Sequence, residues 1–327
     1  MYPIKMGVKG VDFMFESFDT QEFGNYLKKL RESLKITQND VYELTGLSLE
    51  TIRKLERGIS IPRYDTLELL SKVYKVDVLQ IFSLYRSSSE LYNFYDNLDR
   101  LIVEYDQEKL TNLLEEFQNN VSDETTAKVF EKKELEQFIL ILKGIEIYSS
   151  KENKEECFDY FLKAMKISNS SFELEHINKF KYTQLEHRIL LLISLALSVT
   201  RELKLANQIL IMSLETYQLK YRLDFNDIRL MIKIYFNLSY NYFGYEDYQN
   251  SLKYAHEGIK YCREHHSMYA LAALFYRRGI AKFFMEDDVY MLDLKYAIQL
   301  FHINDQLDLA KLYQDITFNQ YGIKIEL

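Results

Sequence analysis

The stretch Ile36–Gly58, ITQNDVYELTGLSLETIRKLERG, holds two short helical runs with Gly46 between them. Thr37 has the side chain of a helix N-cap, and Asp40 three residues on can return the bond. Gly46 suits the left-handed residue that closes a helix. Ser48 is a second N-cap, and the run behind it ends at Arg57 before Gly58. Ile52 and Leu55, at i and i+3, turn to one side of this run. Leu49, Glu50, Thr51, Arg53 and Lys54 fill its early turns. Such a pair of helices is either an ordinary hairpin or a device that lays its second helix in the DNA major groove.

The flanks extend the pattern to five helices over residues 20–86. Phe23, Tyr26, Leu27, Leu30 and Leu34 recur at helical spacing, so the first helix is expected at about Thr20–Leu34, capped by Asp19 or Thr20. After ISIPRYD turns the chain, Asp65 is expected to cap a fourth helix, Thr66–Tyr74, and a fifth follows at about Val78–Tyr85. The 327 residues are enough for about two domains. With ten Gly and two Pro, and long runs of Leu, Lys, Glu, Tyr and Ile, the chain is expected to be all-α.

Charge divides the chain. The net of −8 argues against nucleic acid when taken whole. Residues 20–86 carry 11 Lys or Arg and 9 Asp or Glu, a net of +2, while residues 87–327 carry 28 and 37, a net of −9. A small neutral-to-basic module is joined to a large acidic one. Cys157 and Cys262 lie far apart and outside any C-x-x-C, which points to a reducing cytoplasm. No run of about 18 apolar residues occurs, so no membrane span is expected. The start, MYPIKMGVKGVDFMFES, lacks the apolar core of a secretory signal. Residues 1–19 are expected to be a flexible extension, or translation is expected to begin at Met14.

The segments LRESLKITQNDV, LTGLSLETIRKLERGISIP and LELLSKVYKVDVLQIF together resemble the helix-turn-helix of phage repressors and Cro proteins, the XRE family. Thr37-Gln38, Gly46, Ser48, Ile52 and Glu56-Arg57-Gly58 all fall in its register. The resemblance places Leu49, Glu50 and Lys54 at base-reading positions. It places Thr37, Gln38, Ser48 and Arg57 at phosphate-contacting ones, and pairs Arg31 with Glu56 inside the fold. Gln38 also stands at a helix N-terminus, where backbone N–H groups favour a phosphate. One departure is Tyr42, where the family usually has a small Ala. A phenol there must swing outward or displace a neighbour, and the angle between the second and third helices depends on which.

Beyond a linker expected at 87–105, helical stretches recur at about 106–119, 124–149, 154–168, 172–200, 202–219, 225–244, 246–264, 267–286, 287–302 and 305–319. The segment Tyr235–Ile259, YFNLSYNYFGYEDYQNSLKYAHEGI, resembles a tetratricopeptide repeat, with Tyr235, Leu238, Ser239 and Tyr242 in its first helix and Tyr248, Ser251, Ala255 and Gly258 in its second. Weaker copies end near Ala164, Ser213 and Ile298, which with Gly258 as the reference gives intervals of 49, 45 and 40 residues. Since the standard repeat is about 34 residues, these copies carry long helices or loops. Residues 106–327 are therefore expected to form a solenoid of helical hairpins, whose inner face suits an extended ligand. In the best repeat Lys233, Phe236, Asn237 and Tyr240 are expected on that face, with Tyr276, Arg277 and Phe283 from the next hairpin. An Asn amide can bond both the C=O and the N–H of a peptide backbone. An Arg fork can hold a carboxylate.

No phosphate-binding glycine loop, dinucleotide fingerprint or H-E-x-x-H occurs. His265-His266 falls where an inter-helix turn is expected, and neither Cys has metal-ligand spacing. No catalytic set, metal or cofactor is expected. The architecture resembles the cytoplasmic peptide-pheromone receptors of Gram-positive bacteria, the Rap/Rgg/NprR/PlcR/PrgX group. That resemblance implies a homodimeric regulator that binds double-stranded operator DNA and is switched by a short linear signalling peptide. The acidic second module should hold itself clear of the duplex and weakly favour a neutral or basic peptide. Two other readings stand beside it: a DNA-binding regulator whose solenoid docks a protein, marked by a broad apolar patch, and an enzyme or enzyme inhibitor.

Overall fold

Thr37 starts a helix because its side chain and that of Asp40 satisfy each other's backbone. In the computed structural model, which describes residues 19–85, 112, 115, 132–150, 154–218, 223 and 225–327, both halves of this capping box are present. The Thr37 N–H donates to Asp40 Oδ2 at 2.6 Å, and the Asp40 N–H donates to Thr37 Oγ1 at 3.1 Å. The five N-terminal helices are α1 (Thr20–Ser33), α2 (Gln38–Thr45), α3 (Leu49–Glu56), α4 (Tyr64–Tyr74) and α5 (Val78–Leu84). Asp19 caps α1, Ser48 caps α3 and Asp77 caps α5, each accepting a backbone N–H at 2.8 to 3.1 Å. Gly46 closes α2 at φ 73°, a conformation that costs a residue with a Cβ free energy. The fourth helix departs from expectation. It begins at Tyr64 with Arg63 at the cap and no side-chain cap bond. Asp65 therefore sits in the first turn, where its charge meets the positive end of the helix dipole.

These five helices close over Phe23, Leu27, Val41, Ile52, Leu55, Leu67, Leu70, Tyr74, Val78 and Phe82. Arg31 and Glu56 form the internal pair, with Arg31 Nε to Glu56 Oε1 at 2.6 Å and Nη2 to Oε2 at 3.1 Å. The bond to Glu56 raises the Arg31 guanidinium further above its ordinary range. Tyr42 points outward and is 46% exposed, leaving the contact between α2 and α3 intact.

The second compact unit takes in α6 (Lys132–Ser149) from Leu135 onward, then α7 (Cys157–Ser168), α8 (Gln184–Val199), α9 (Leu203–Gln218), α10 (Phe225–Gly244), α11 (Tyr248–Glu264), α12 (Leu271–Phe284), α13 (Tyr290–Ile303) and α14 (Leu307–Tyr321). Among the described residues every regular element is helical, as expected. The extension before residue 19 and the linker 87–105 lie outside the described residues. So do the stretches at 106–119 and 124–131, apart from Asn112 and Glu115, which are helical. The single helix expected over 172–200 is instead a 3₁₀ turn, Leu174–Lys179, a short loop, and then α8. Thr183 and Glu186 make a second capping box there, which restarts the helix at Gln184. His265 and His266 lie in the turn between α11 and α12.

From α7 onward each helix packs on the next. In the best repeat α10 and α11 approach closely because their contact residues are small. Ser239 and Ser251 are wholly buried, and each hydroxyl donates to the other's carbonyl at 2.9 Å. A Cβ on Gly258 would lie 2.9 Å from both Leu274 and Tyr235. A polar ladder, buried at Asn207 and Asn241, fastens α8, α9 and α10. In it Ser198 donates to Asn241, Asn241 to Asn207, and Asn207 to Tyr245, each at 2.9 Å. First helices also touch across hairpins, α8 on α10 and α10 on α12, while second helices of neighbouring hairpins make at most marginal contact. The array therefore curves with its first helices inside.

Candidate DNA- and peptide-binding surfaces

Two side chains set α3 in place. Ile52 and Leu55 anchor it in the core, and Ser48 caps its first turn. The opposite side presents Glu50, Arg53, Lys54 and Arg57 exposed, Ser48 beside them, and Leu49 and Thr51 half-buried. Lys54 Nζ lies 3.3 Å from Glu50 Oε1. This exposed i,i+4 pair contributes only about 0.3 kcal/mol, so a DNA base edge can displace it. The Ser48 and Thr51 hydroxyls share a hydrogen bond of 2.9 Å. Glu50, Arg53, Lys54 and Arg57 thus share the side of α3 turned away from the core, with Leu49 and Thr51 at its margins.

At the start of α2 the arrangement differs from side-chain phosphate contact. The Thr37 hydroxyl donates to Asp40 at 2.8 Å, and the Gln38 amide donates to Glu56 at 2.8 Å. Both side chains are engaged inside the unit. The Thr37 bonds hold the Asp40 carboxyl below the usual carboxylate range. The backbone N–H groups of Gln38 and Asn39 have no intrahelical acceptor at this helix start, and these are the donors a phosphate would meet. Gln38 instead joins α2 to the Arg31–Glu56 pair, and so couples the helix N-terminus to α1 and α3.

On the inner layer of the second unit, α10 and α12 bring Lys233, Phe236, Asn237, Tyr240 and Arg277 together. Tyr240 is 49% exposed, and the Arg277 guanidinium lies 4.5 Å from its ring centre. Phe236 is half-buried below, 5.8 Å from the same guanidinium. The Asn237 amide donates to the Lys233 carbonyl of its own helix at 2.8 Å. Two expected residues belong elsewhere. Tyr276 is a core residue, edge-on to Tyr313 at 4.6 Å with its hydroxyl accepting from Thr317 at 3.0 Å. Phe283 packs against Tyr290 of α13 at 5.2 Å. The i,i+4 neighbour of Lys233 extends the surface: Arg229 stacks over Phe225 at 4.3 Å and Tyr269 at 5.1 Å. Spacing along α10 could have found Arg229, but Tyr269 precedes α12 and only the fold brings it near.

A separate cavity of about 320 Å³ lies among Phe158, Leu174, Leu197 and Leu205, rimmed by Glu155, Glu175 and Glu202. Among the described residues no group of three or more His, Cys, Asp or Glu side chains is placed to hold a metal ion. No helix among them is long and apolar enough to cross a membrane.

Residues 27–81 match the helix-turn-helix family HTH_3. This segment is a helix-turn-helix domain of the XRE type. The chain as a whole has the fold of several solved regulators. The structure of Bacillus thuringiensis PlcR in complex with the peptide PapR7 and DNA is similar at a TM-score of 0.70 and 17% identity, covering 90% of this chain and 99% of that one. The apo form of the same protein gives 0.57 at 17% identity over 92% and 99%. The SHP pheromone receptor Rgg2 of Streptococcus dysgalactiae gives 0.54 at 16% identity over 91% and 99%. At these identities the likeness is one of fold. No curated protein matches the sequence. The chain thus carries a helix-turn-helix domain of the DNA-binding type at 27–81, and the helices behind it share the fold of PlcR and Rgg2.

Proposed function

We propose that this protein is a cytoplasmic transcription regulator that binds operator DNA as a homodimer and is switched by a short peptide held on the inner layer of its repeat domain. The observation that carries this reading is the joining of two surfaces in one chain. One is a capped helix with Glu50, Arg53, Lys54 and Arg57 in solvent, and the other is an inner solenoid face bearing Lys233, Asn237, Tyr240 and Arg277. The fold shared with PlcR, solved with both a peptide and DNA, supports it.

The mechanism follows from geometry. A dimer must hold two α3 helices about 34 Å apart to enter successive major grooves. A peptide that prefers one curvature of the solenoid shifts the population of DNA-competent dimers, by no more than its differential affinity for the two states. Leu49, Glu50, Thr51 and Lys54 then meet base edges, and Arg53, Arg57 and Ser48 meet phosphates along with the backbone N–H groups at the α2 N-terminus. The proposed boundaries are 20–86 for the DNA-binding domain, 87–105 for the linker and 106–327 for the sensor.

The test is binding of the purified full chain to its own upstream DNA at fixed salt, with and without peptide fractions from its host's culture medium. A peptide-dependent change in affinity is expected. Tight binding indifferent to every fraction would favour a second reading, in which the repeat domain docks a protein. That reading draws on one feature: Leu292, Ile303, Leu307 and Phe318 of α13 and α14 are at least half exposed.

A further inference from the structure

The inner layer holds two adjacent arginines in opposite states. Arg278 is saturated: its Nε and Nη2 donate to the two oxygens of Asp293 at 2.9 and 2.6 Å, and Lys282 reaches the same carboxylate at 3.1 Å. Arg277, one residue away, pairs with no carboxylate among the described residues, and its buried Nε has no hydrogen-bond partner. Its guanidinium instead sits among rings: Tyr240 at 4.5 Å, Phe236 at 5.8 Å, Phe243 at 5.9 Å and Tyr276 at 6.0 Å. An unpaired donor in such a place costs free energy, which is why arginines in folded cores are usually answered as Arg278 is. Aromatic faces recover part of that cost, and they leave the fork open.

The surroundings agree in sign. From Ile228 to Gly244, and throughout α12, the sequence contains no Asp or Glu. The same two stretches carry Arg229, Lys233, Arg277, Arg278 and Lys282. Asp293 comes to α12 from α13, and it is already shared by Arg278 and Lys282. Arg277 thus lies among rings, on stretches that carry no acid of their own, within a second module whose total charge is strongly negative.

We propose that Arg277 is the anchor for a carboxylate of the bound peptide, with an apolar or aromatic group beside it lying on Tyr240 and Phe236. This assignment rests on the peptide-sensing reading above and states what that peptide must carry. The planar fork donates to both oxygens of one carboxylate, a geometry that Lys cannot reproduce. The carboxylate is either an acidic side chain or the peptide's own C-terminus, and the two share this chemistry.

The test uses the full-length protein and an immobilised random heptapeptide array. Each sequence is made with a free C-terminal carboxylate and as the carboxamide. Wild-type protein is expected to select sequences with Asp or Glu next to an apolar residue, or to bind only the free-acid series; the first result assigns a side chain and the second the terminus. Arg277→Gln is expected to bind the selected peptides on the order of tenfold to a hundredfold more weakly. Arg277→Lys should keep the charge yet recover only part of the binding. Lys260→Gln, on the outer helix α11, should bind like wild type. Because Arg277 has no carboxylate partner to orphan among the described residues, its variants should keep the far-ultraviolet dichroism and melting of the parent. Should Arg277→Gln melt early, the Lys variant carries the comparison. Peptides bound without acid or C-terminal preference, or equally by Arg277→Gln, overturn the anchor while leaving peptide sensing intact. An array on which no peptide binds overturns the sensing reading and the anchor with it.

Discussion

Replacing Glu56 with Ala should loosen the helix-turn-helix domain far more than its distance from the DNA surface implies. Glu56 accepts three hydrogen bonds: two from Arg31, at 2.6 and 3.1 Å, and one from Gln38 at 2.8 Å. The two charged side chains are only 11% and 5% exposed. Without Glu56, Arg31 keeps the Ile36 carbonyl at 3.0 Å and the solvent-facing Glu32 at 3.7 Å, and most of its charge is left buried. Breaking one side of a buried pair costs about 3–5 kcal/mol, a large share of the roughly 5–15 kcal/mol that holds a domain together. The chain has no Trp and two compact units, so a single melting curve would blur the effect. Amide hydrogen exchange read by peptide mass spectrometry isolates it. Segments from α1 and α3 should exchange about 10² to 10³-fold faster, at tenfold per 1.4 kcal/mol, while α10–α13 stay unchanged. The double variant Arg31→Met/Glu56→Leu should regain most of the loss, because it removes both charges together. Less than about threefold acceleration in Glu56→Ala would refute the claim that this pair locks α1 to α3.

Three further outcomes follow from the packing. Gly258→Ala places a Cβ at 2.9 Å from Leu274 and Tyr235, and should cost about 1–3 kcal/mol, seen as faster exchange in α11 and α12 but not in α1–α5. The Asp40 carboxyl is depressed in the folded state, so its contribution is present above its unfolded value of about 3.9 and is lost as pH falls through the lower folded value. The start of α2 should therefore fray in that acid window, read from the Thr37 amide by nuclear magnetic resonance, and Asp40→Asn should flatten the dependence. Tyr42→Ala should leave unfolding within about 0.5 kcal/mol of the parent, since the ring faces solvent; a larger loss in denaturant titration would show that the phenol supports the contact between α2 and α3.

Local chemistry was readable without coordinates wherever one residue acts on its own near neighbours in the chain. Thr37 with Asp40, Ser48 and Gly46 define the ends of α2 and α3 because caps work over three or four residues. The apolar spacing of Ile52 with Leu55 marks the buried side of α3 for the same reason. Ser239, Ser251 and Gly258 announce a close crossing because small residues at helical spacing have little other use there. Local signals also misled where two of them competed. The run 172–200 is helical in composition, but Thr183 and Glu186 start a new helix inside it, and Asp65 lies in the first turn of a helix that opens at Tyr64 without a side-chain cap.

What remained hidden depends on partners distant in sequence. Nothing near Gln38 announces that its amide turns inward to Glu56, eighteen residues on. Tyr276 and Arg277 are adjacent and both polar-tipped, yet one is committed to Thr317 and Tyr313 from α14 and the other opens onto Tyr240 from α10. A helix turns by about 100° per residue, so adjacent positions meet different neighbours. Which neighbour each one meets is settled by how α12 lies against α10, α13 and α14. The sequence carries each residue's chemistry and the helix it belongs to. Whether that chemistry is spent inside the protein or left for a ligand depends on long-range packing, and the contrast between Arg277 and Arg278 is decided there.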